Sequence, residues 1–367
     1  MTKCGLMLLA AAFSLTLRVS GSEAEVPELV DVPSKLWTIP ARQLPPPMSA
    51  SESLYQQIAE NPQPKSPVNF SSKPIDSEQW KALVAANKNK NEALDLASLE
   101  SVFNVKVTET NVAGVVVHRV LPNRNQADLK QAAMIYLHGG AYVFNSGLRG
   151  AYEAIIIASY AGVAVWSVDY RTSLLAPFPA AFEDALKVYR ALAEDPNIKT
   201  IALGGTSAGA GLALAITQDI LNTNIVAPDV IYAGSPWADL TKTGDTLYSL
   251  EGIDRVLVSY DGLLGQAAKL YAGSEPLTNP RVSPLYGSFA NFPPTYLASG
   301  TRDLLLSDTV RVHRAIKQAG GHAEINVFEG LSHAEYLTNL DMEESQRMYL
   351  ELAAFLKLHL SYRDKVD

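Results

Sequence analysis

The stretch that limits the possible folds of this chain is Thr200 to Ile216, in which an apolar strand runs straight into a helix through Gly205-Thr206-Ser207-Ala208-Gly209. Glycines on both sides of Ser207 let strand and helix approach closely, and the serine between them is predicted to take a strained φ/ψ that a Cβ normally resists. That turn would lift the Ser207 hydroxyl above the sheet edge. It would also aim the first N–H groups of the helix, Ala208 foremost, at any group the hydroxyl attacks, where a developing negative charge gains from free amides and the helix dipole. Taken alone, the pentapeptide is equally an ordinary strand-to-helix turn, so its meaning depends on partners elsewhere.

The surrounding pattern is one of short apolar strands alternating with helices. Strands are expected at Val102–Val107 and Val112–Leu121, joined by a turn around Glu109–Asn111, then at 132–137, 163–168, 201–203, 229–237, 295–299 and 324–328. Helices are expected at about 51–60, 76–99, 150–160, 180–192, within 261–271, at 309–319, where Gly320-Gly321 stops the run, and at 342–359. Such alternation makes a mostly parallel central sheet covered by helices on both faces, and chemistry in such sheets gathers beyond the carboxyl ends of the strands. Four places answer that description: His138 to Ala141, Ser207, Asp303 and His333.

A serine at its free pKa needs a base within hydrogen-bond reach, itself oriented by a third group. Of six histidines, His118 lies in a strand pattern, His313 and His359 in helices and His322 just after a helix stop, which are structural or surface positions. His333 follows a strand by a short loop and precedes the last helix, a place from which an imidazole can swing over a strand end. If the acid lies between the serine and this histidine in the chain, Asp303 stands at the end of the 295–299 strand. Its competitors are Asp308, which helix N-capping explains, and Glu329. Gly139 and Gly140 leave backbone N–H groups unshielded beside the sheet edge, where with Ala208 they can bind a tetrahedral oxyanion. His138 reads as an organiser of that loop.

Outside this core, the first residues carry Lys3, an apolar run Leu6–Leu17 and small residues Ser20 to Ser22. This is the layout of a cleaved secretory signal over residues 1–21; twelve apolar residues are too few to cross a bilayer, and an uncleaved anchor is the rival reading. Removal would take the net charge from −8 to −10 and discard Cys4, the only cysteine, so disulfide and thiol chemistry are not expected in the exported chain. The expected location is secreted or periplasmic. Residues 23–67 are rich in proline and should drape over the surface, while Trp37, Phe70 and Trp80 are too apolar for a solvated tail and favour a lid. With 47% hydrophobic and 19% charged residues, no stripe of Lys or Arg, and an acidic balance, the chain can bury a large core and is not expected to bind nucleic acid or to insert stably in a membrane.

These motifs together resemble the hormone-sensitive-lipase-like branch of the α/β-hydrolases, in its G-T-S-A-G subgroup. The matching pieces are Leu137-His-Gly-Gly-Ala-Tyr142, Val168-Asp-Tyr-Arg171 with Pro177-Phe-Pro-Ala180 and Glu183-Asp-Ala185, Gly205-Thr-Ser-Ala-Gly209, Ser235-Pro-Trp-Ala-Asp-Leu240, Gly300-Thr-Arg-Asp303 and Gly330-Leu-Ser-His333. The resemblance implies the α/β-hydrolase fold with a helical cap. It implies Ser207 as nucleophile, His333 as base, Asp303 as its partner, and Gly139, Gly140 and Ala208 as oxyanion donors. The implied layout is a signal at 1–21, an N-terminal extension with cap helices at 22–100, and a catalytic domain at 101–367 carrying a cap insertion at about 240–272. This sequence departs from the family at Ala141, where a third glycine is usual, at Ala210, and over Arg171–Ala176. Tyr142, Phe144 and Trp237 are candidates for an apolar substrate wall, with core packing as the alternative.

The expected function is hydrolysis of carboxylic esters of short to medium acyl chains, lactones included, through an acyl-enzyme. The rival readings are an amidase of the same mechanism and a non-catalytic small-ligand-binding protein on the same fold. The expected partner is a small-molecule ester or lactone, with a homodimer compatible. No zinc motif, phosphate-binding loop or dinucleotide fingerprint occurs, and no metal or cofactor is implied.

Overall fold

Eight strands form a single sheet in the order β1-β2-β4-β3-β5-β6-β7-β8 in the computed structural model, which describes residues 40–41, 43–60, 75–90, 95–123 and 127–361. The strands are β1 (Val105–Val112), β2 (Val115–Pro122), β3 (Ala132–Leu137), β4 (Ala164–Val168), β5 (Thr200–Thr206), β6 (Val230–Gly234), β7 (Thr295–Gly300) and β8 (Ala323–Phe328). The first two run antiparallel to their neighbours and all pairings from β4 to β8 are parallel. Every residue of β3, β5, β6 and β7 is buried, as parallel strands covered on both faces require.

The helices are α1 (Glu52–Glu60), α2 (Ser77–Lys90), α3 (Leu96–Phe103), α4 (Tyr152–Ala161), α5 (Ala180–Ala193), α6 (Ala208–Leu221), α7 (Thr246–Ser249), α8 (Gly265–Ala272), α9 (Leu306–Gln318) and α10 (Glu343–Leu360). Period-two alternation divides the strands between two cores. Ala133, Ile135 and Leu137 of β3 pack with α5, α6 and α9, whereas Ala132, Met134 and Tyr136 pack with α4 and α10. Pro45 to Asp367 forms one compact unit; of the preceding unit, Met1–Leu44, the described residues carry neither helix nor strand. The expected signal segment, Cys4, Trp37 and Phe70 lie outside the described residues. No helix among the described residues is long and apolar enough to cross a membrane.

The structure corrects three local expectations. The turn between β1 and β2 falls at Ala113-Gly114, both with positive φ, and not at 109–111; the Asn111 side chain accepts the Gly114 N–H at 2.9 Å and so stands beside the turn. The helix expected over 76–99 is two helices among the described residues, because Asp95 caps a new start by accepting the N–H groups of Ala97 and Ser98. Val102 consequently belongs to α3, which ends at Asn104 in the left-handed conformation. The start signal at Asp76 is realised as a reciprocal cap: Gln79 N–H donates to the Asp76 carboxylate at 2.8 Å and Asp76 N–H to the Gln79 side chain at 2.9 Å. From α2, Trp80 is 2% exposed and meets the Phe144 ring at 6.3 Å.

Candidate active site

Ser207 sits between β5 and α6 with φ 60° and ψ −123°, a region that side chains rarely occupy. The surrounding backbone holds it there: Ser207 N–H donates to Gly234 O at 2.8 Å, and Ser207 O accepts from Gly211 and Trp237 N–H, each at 3.1 Å. A Cβ on Gly205 or Gly209 would run into the Leu137 carbonyl oxygen, so the strand-to-helix crossing requires glycine at both positions. Ser207 is half-buried, while its partners are enclosed.

His333 Nε2 lies 2.9 Å from Ser207 Oγ, and His333 Nδ1 lies 3.0 Å from Asp303 Oδ1. A carboxylate facing Nδ1 assigns the proton to that nitrogen and leaves Nε2 free to accept from the serine hydroxyl. The three residues arrive from the ends of β5, β7 and β8, so the structure brings together all three side chains that the sequence singled out. Asp303 is fully buried; its Oδ1 also accepts Leu305 N–H at 2.8 Å and its Oδ2 accepts the Ser299 hydroxyl at 2.8 Å. Burial pushes the Asp303 carboxyl up, but the His333 charge and these hydrogen bonds outweigh it and hold it below the usual carboxylate range. Burial likewise pushes the His333 imidazole down, and the charge and hydrogen bond of Asp303, with the charge of Asp254 added, carry it above its ordinary value.

Gly139 comes close to Ser207, with Gly140 next to it in the chain and Ala208 next to the serine. A Cβ on Gly139 would stand 2.9 Å from Thr206 O and 3.2 Å from Ser207 Cβ, which measures how closely this loop approaches the serine. No hydrogen bond among the described residues takes up the N–H of Gly139, Gly140 or Ala208. The backbone turns left-handed through Gly140 (φ 114°), Ala141 (φ 53°) and Tyr142 (φ 61°), so the alanine standing where a third glycine is usual keeps a glycine-like φ. His138 stacks on Tyr170 at 4.1 Å with its Nδ1 2.8 Å from Gly139 O, and Tyr170 OH donates to His138 O at 2.6 Å.

The candidate wall residues divide. Tyr142 and Trp237 are 1% and 0% exposed and belong to the core, which favours the packing alternative, whereas Phe144 is only partly buried. Asp308 is not an N-cap. It lies inside the first turns of α9, and its Oδ2 accepts the N–H groups of Ala238 and Asp239, both at 2.9 Å, so it braces the loop after β6. Glu329 takes no part in the hydrogen bonds of His333, which go to Asp254, Asp303 and Ser207.

Sequence reasoning did not anticipate what lies under the serine. Thr206 Oγ1 reaches Tyr232 OH (3.1 Å) and Tyr336 OH (3.2 Å), Tyr232 OH donates to Glu153 at 2.7 Å, and Tyr136 OH donates to the same buried carboxyl. Burial raises the Glu153 pKa and the tyrosine hydroxyls oppose the rise. The only trace of this cluster in the sequence is an acidic residue inside an otherwise apolar helix, α4.

With that geometry in place, residues 134–337 match the family model of the alpha/beta hydrolase fold. An acetyl-hydrolase of Streptomyces hygroscopicus is 31% identical over 227 residues, covering 61% of this chain and 75% of that protein. An esterase of Acinetobacter venetianus is 27% identical over 254 residues, covering 68% and 82%. The crystal structure of an esterase called E25 is 40% identical with a TM-score of 0.83, covering 88% of this chain and 98% of that one. An esterase from the bacterial hormone-sensitive lipase family is 25% identical with a TM-score of 0.65, covering 78% and 99%. The chain belongs to the α/β-hydrolase family. Within it, the chain falls in the hormone-sensitive-lipase-like branch.

Proposed function

We propose that this carboxylic ester hydrolase cleaves esters of short to medium acyl chains, with lactones as cyclic members of the same class, using Ser207 as nucleophile, His333 as base and Asp303 as its orienting partner. The observation that carries the reading is the uninterrupted sequence of hydroxyl, imidazole and carboxylate at 2.9 and 3.0 Å. Ser207 Oγ attacks the ester carbonyl carbon as its proton passes to His333 Nε2. The carbonyl oxygen becomes an oxyanion beside the N–H groups of Gly139, Gly140 and Ala208. As the carbon–oxygen bond breaks, His333 returns the proton to the departing alcohol and an acyl-serine remains. Water then attacks that acyl carbon, His333 again takes a proton, and the acid leaves with Ser207 restored.

The name of the acetyl-hydrolase relative supports a small acyl group, and that of the esterase relative supports an ester substrate. In the same reading α2, which carries Trp80, and the segment at 240–272 contribute to a helical cap over the pocket, with Phe144 against Trp80 at its edge. The signal-like segment 1–21 directs export to the periplasm or medium, where the partner is a small-molecule ester; a homodimer is compatible with this reading.

A series of nitrophenyl esters from acetate to palmitate, run on the wild type and Ser207→Ala, tests this proposal. Turnover should be greatest at the short end and vanish in the variant. Faster cleavage of a nitroanilide than of the matching ester would make the enzyme an amidase, and absence of Ser207-dependent turnover at every length would make it a binding protein.

A further inference from the structure

Asp303 is not alone beside the histidine. Asp254, in the segment between β6 and β7, is fully buried, and all its acceptor capacity faces backbone. Its Oδ1 accepts Val256 N–H at 2.7 Å and Leu257 N–H at 3.0 Å within its own loop. Its Oδ2 accepts Leu304 N–H at 2.7 Å, one residue beyond Asp303, and His333 N–H at 3.3 Å. One carboxylate thus ties together the inserted segment, the acid loop and the base loop.

The next residue extends the tie. Arg255 N–H donates to Ser332 Oγ at 3.1 Å, and its buried guanidinium pairs with Glu335, whose carboxylate also accepts Ser332 N–H at 2.8 Å and the Gln57 side chain at 2.8 Å. His333 is therefore gripped through its own backbone and through neighbours on both sides. A buried carboxylate is costly unless compensated. Arg255 is committed to Glu335, and no salt bridge among the described residues offsets Asp254. Burial and the charge of Asp303 push its carboxyl up, and the charge of His333 with the N–H groups of Leu304 and Leu257 opposes the rise.

We propose that Asp254 is a positioning residue for His333, holding the acid and base loops in register and presenting, with Asp303, a second negative charge to the imidazolium that forms when Ser207 loses its proton. This rests on the reading of Ser207 and His333 given above. Asp254 touches no reacting atom and acts through the histidine.

The test uses the full chain with Asp254→Asn, Asp303→Asn and the double variant, all followed on nitrophenyl acetate across pH, with thermal unfolding as the control for folding. In a folded Asp254→Asn protein, kcat should fall roughly ten- to hundred-fold with KM little changed, the scale expected for small misplacement of a catalytic group. The acid limb of kcat/KM should move to lower pH, since removing a negative charge makes the imidazole easier to deprotonate. The double variant should fall below Asp303→Asn. Wild-type kcat and an unmoved limb in folded Asp254→Asn would overturn the proposal. If that variant does not fold, Asp254→Glu keeps the charge but lengthens the arm: its limb should stay in place while kcat drops, and wild-type kcat would be equally fatal. Activity surviving in Ser207→Ala would remove the underlying reading, whereas a dead Ser207→Ala beside an unaffected Asp254→Asn removes this inference alone.

Discussion

The rings of Tyr142 and Tyr271 stack face to face, 3.6 Å between centroids and 5° between planes. Tyr142 closes the left-handed run of the Gly139–Gly140 loop, and Tyr271 comes from α8 in the segment between β6 and β7, so the stack fixes the loop that approaches Ser207 through Gly139. Tyr271→Ala should cost about 3–5 kcal/mol of stability in denaturant unfolding, as for other large aromatic truncations, and should lower kcat more than it raises KM. Tyr271→Phe keeps the stacked face and should keep most of both.

In the proposed mechanism a neutral His333 accepts the serine proton, so activity should disappear as pH falls through its pKa. Because Asp303 and Asp254 outweigh burial and hold that pKa above its ordinary value, the acid limb of kcat/KM should lie above about 6.5. Asp303→Asn should reduce kcat roughly 10⁴-fold, the loss seen when the same substitution is made in a comparable triad, and bring the limb down. The stability signs follow. The depressed Asp303 contributes stability above the usual carboxylate range that is lost as pH falls through its folded value, and the raised His333 contributes stability below the usual imidazole value that is lost as pH rises through its own. Unfolding of Asp303→Asn across pH should therefore show a flatter acid side than the wild type.

Asp308 is pushed up to about 8 by burial and by Asp239, so it stays protonated at neutral pH while two backbone N–H groups donate to one of its oxygens. An amide can do the same, and Asp308→Asn should be close to neutral in denaturant unfolding. Asp308→Ala strands both N–H groups in the interior and should cost on the order of 2–6 kcal/mol at about 1–3 per group. With its folded pKa raised, the carboxyl's contribution is complete below the unfolded value of about 4 and is lost as pH climbs toward 8.

What was legible in the sequence is what local chemistry dictates. Glycines around Ser207, an aspartate at a strand end and a histidine on the following strand's loop each carry their own signal, and the structure brings the three together. Asp254 carries none, because its partners Leu304 and His333 lie 50 and 79 residues away. Asp308 misled for the same reason: α9 starts at Leu306, and the carboxylate serves residues 70 and 69 positions earlier. Tyr142 and Trp237 stand next to motifs, and sequence does not separate a pocket wall from a core when both are aromatic. The β1–β2 turn slipped because Asn111 is a turn residue that here supports a turn two positions on.

Gly205 and Gly209 are excluded from carrying any side chain by the Leu137 carbonyl of a neighbouring strand, a constraint independent of what Ser207 does. A descendant that abandoned hydrolysis would remain bound to both glycines by backbone crowding while Asp303 and His333 drifted. The pentapeptide by itself thus reports a backbone crossing, and it is the imidazole 2.9 Å from the hydroxyl that adds the means of catalysis.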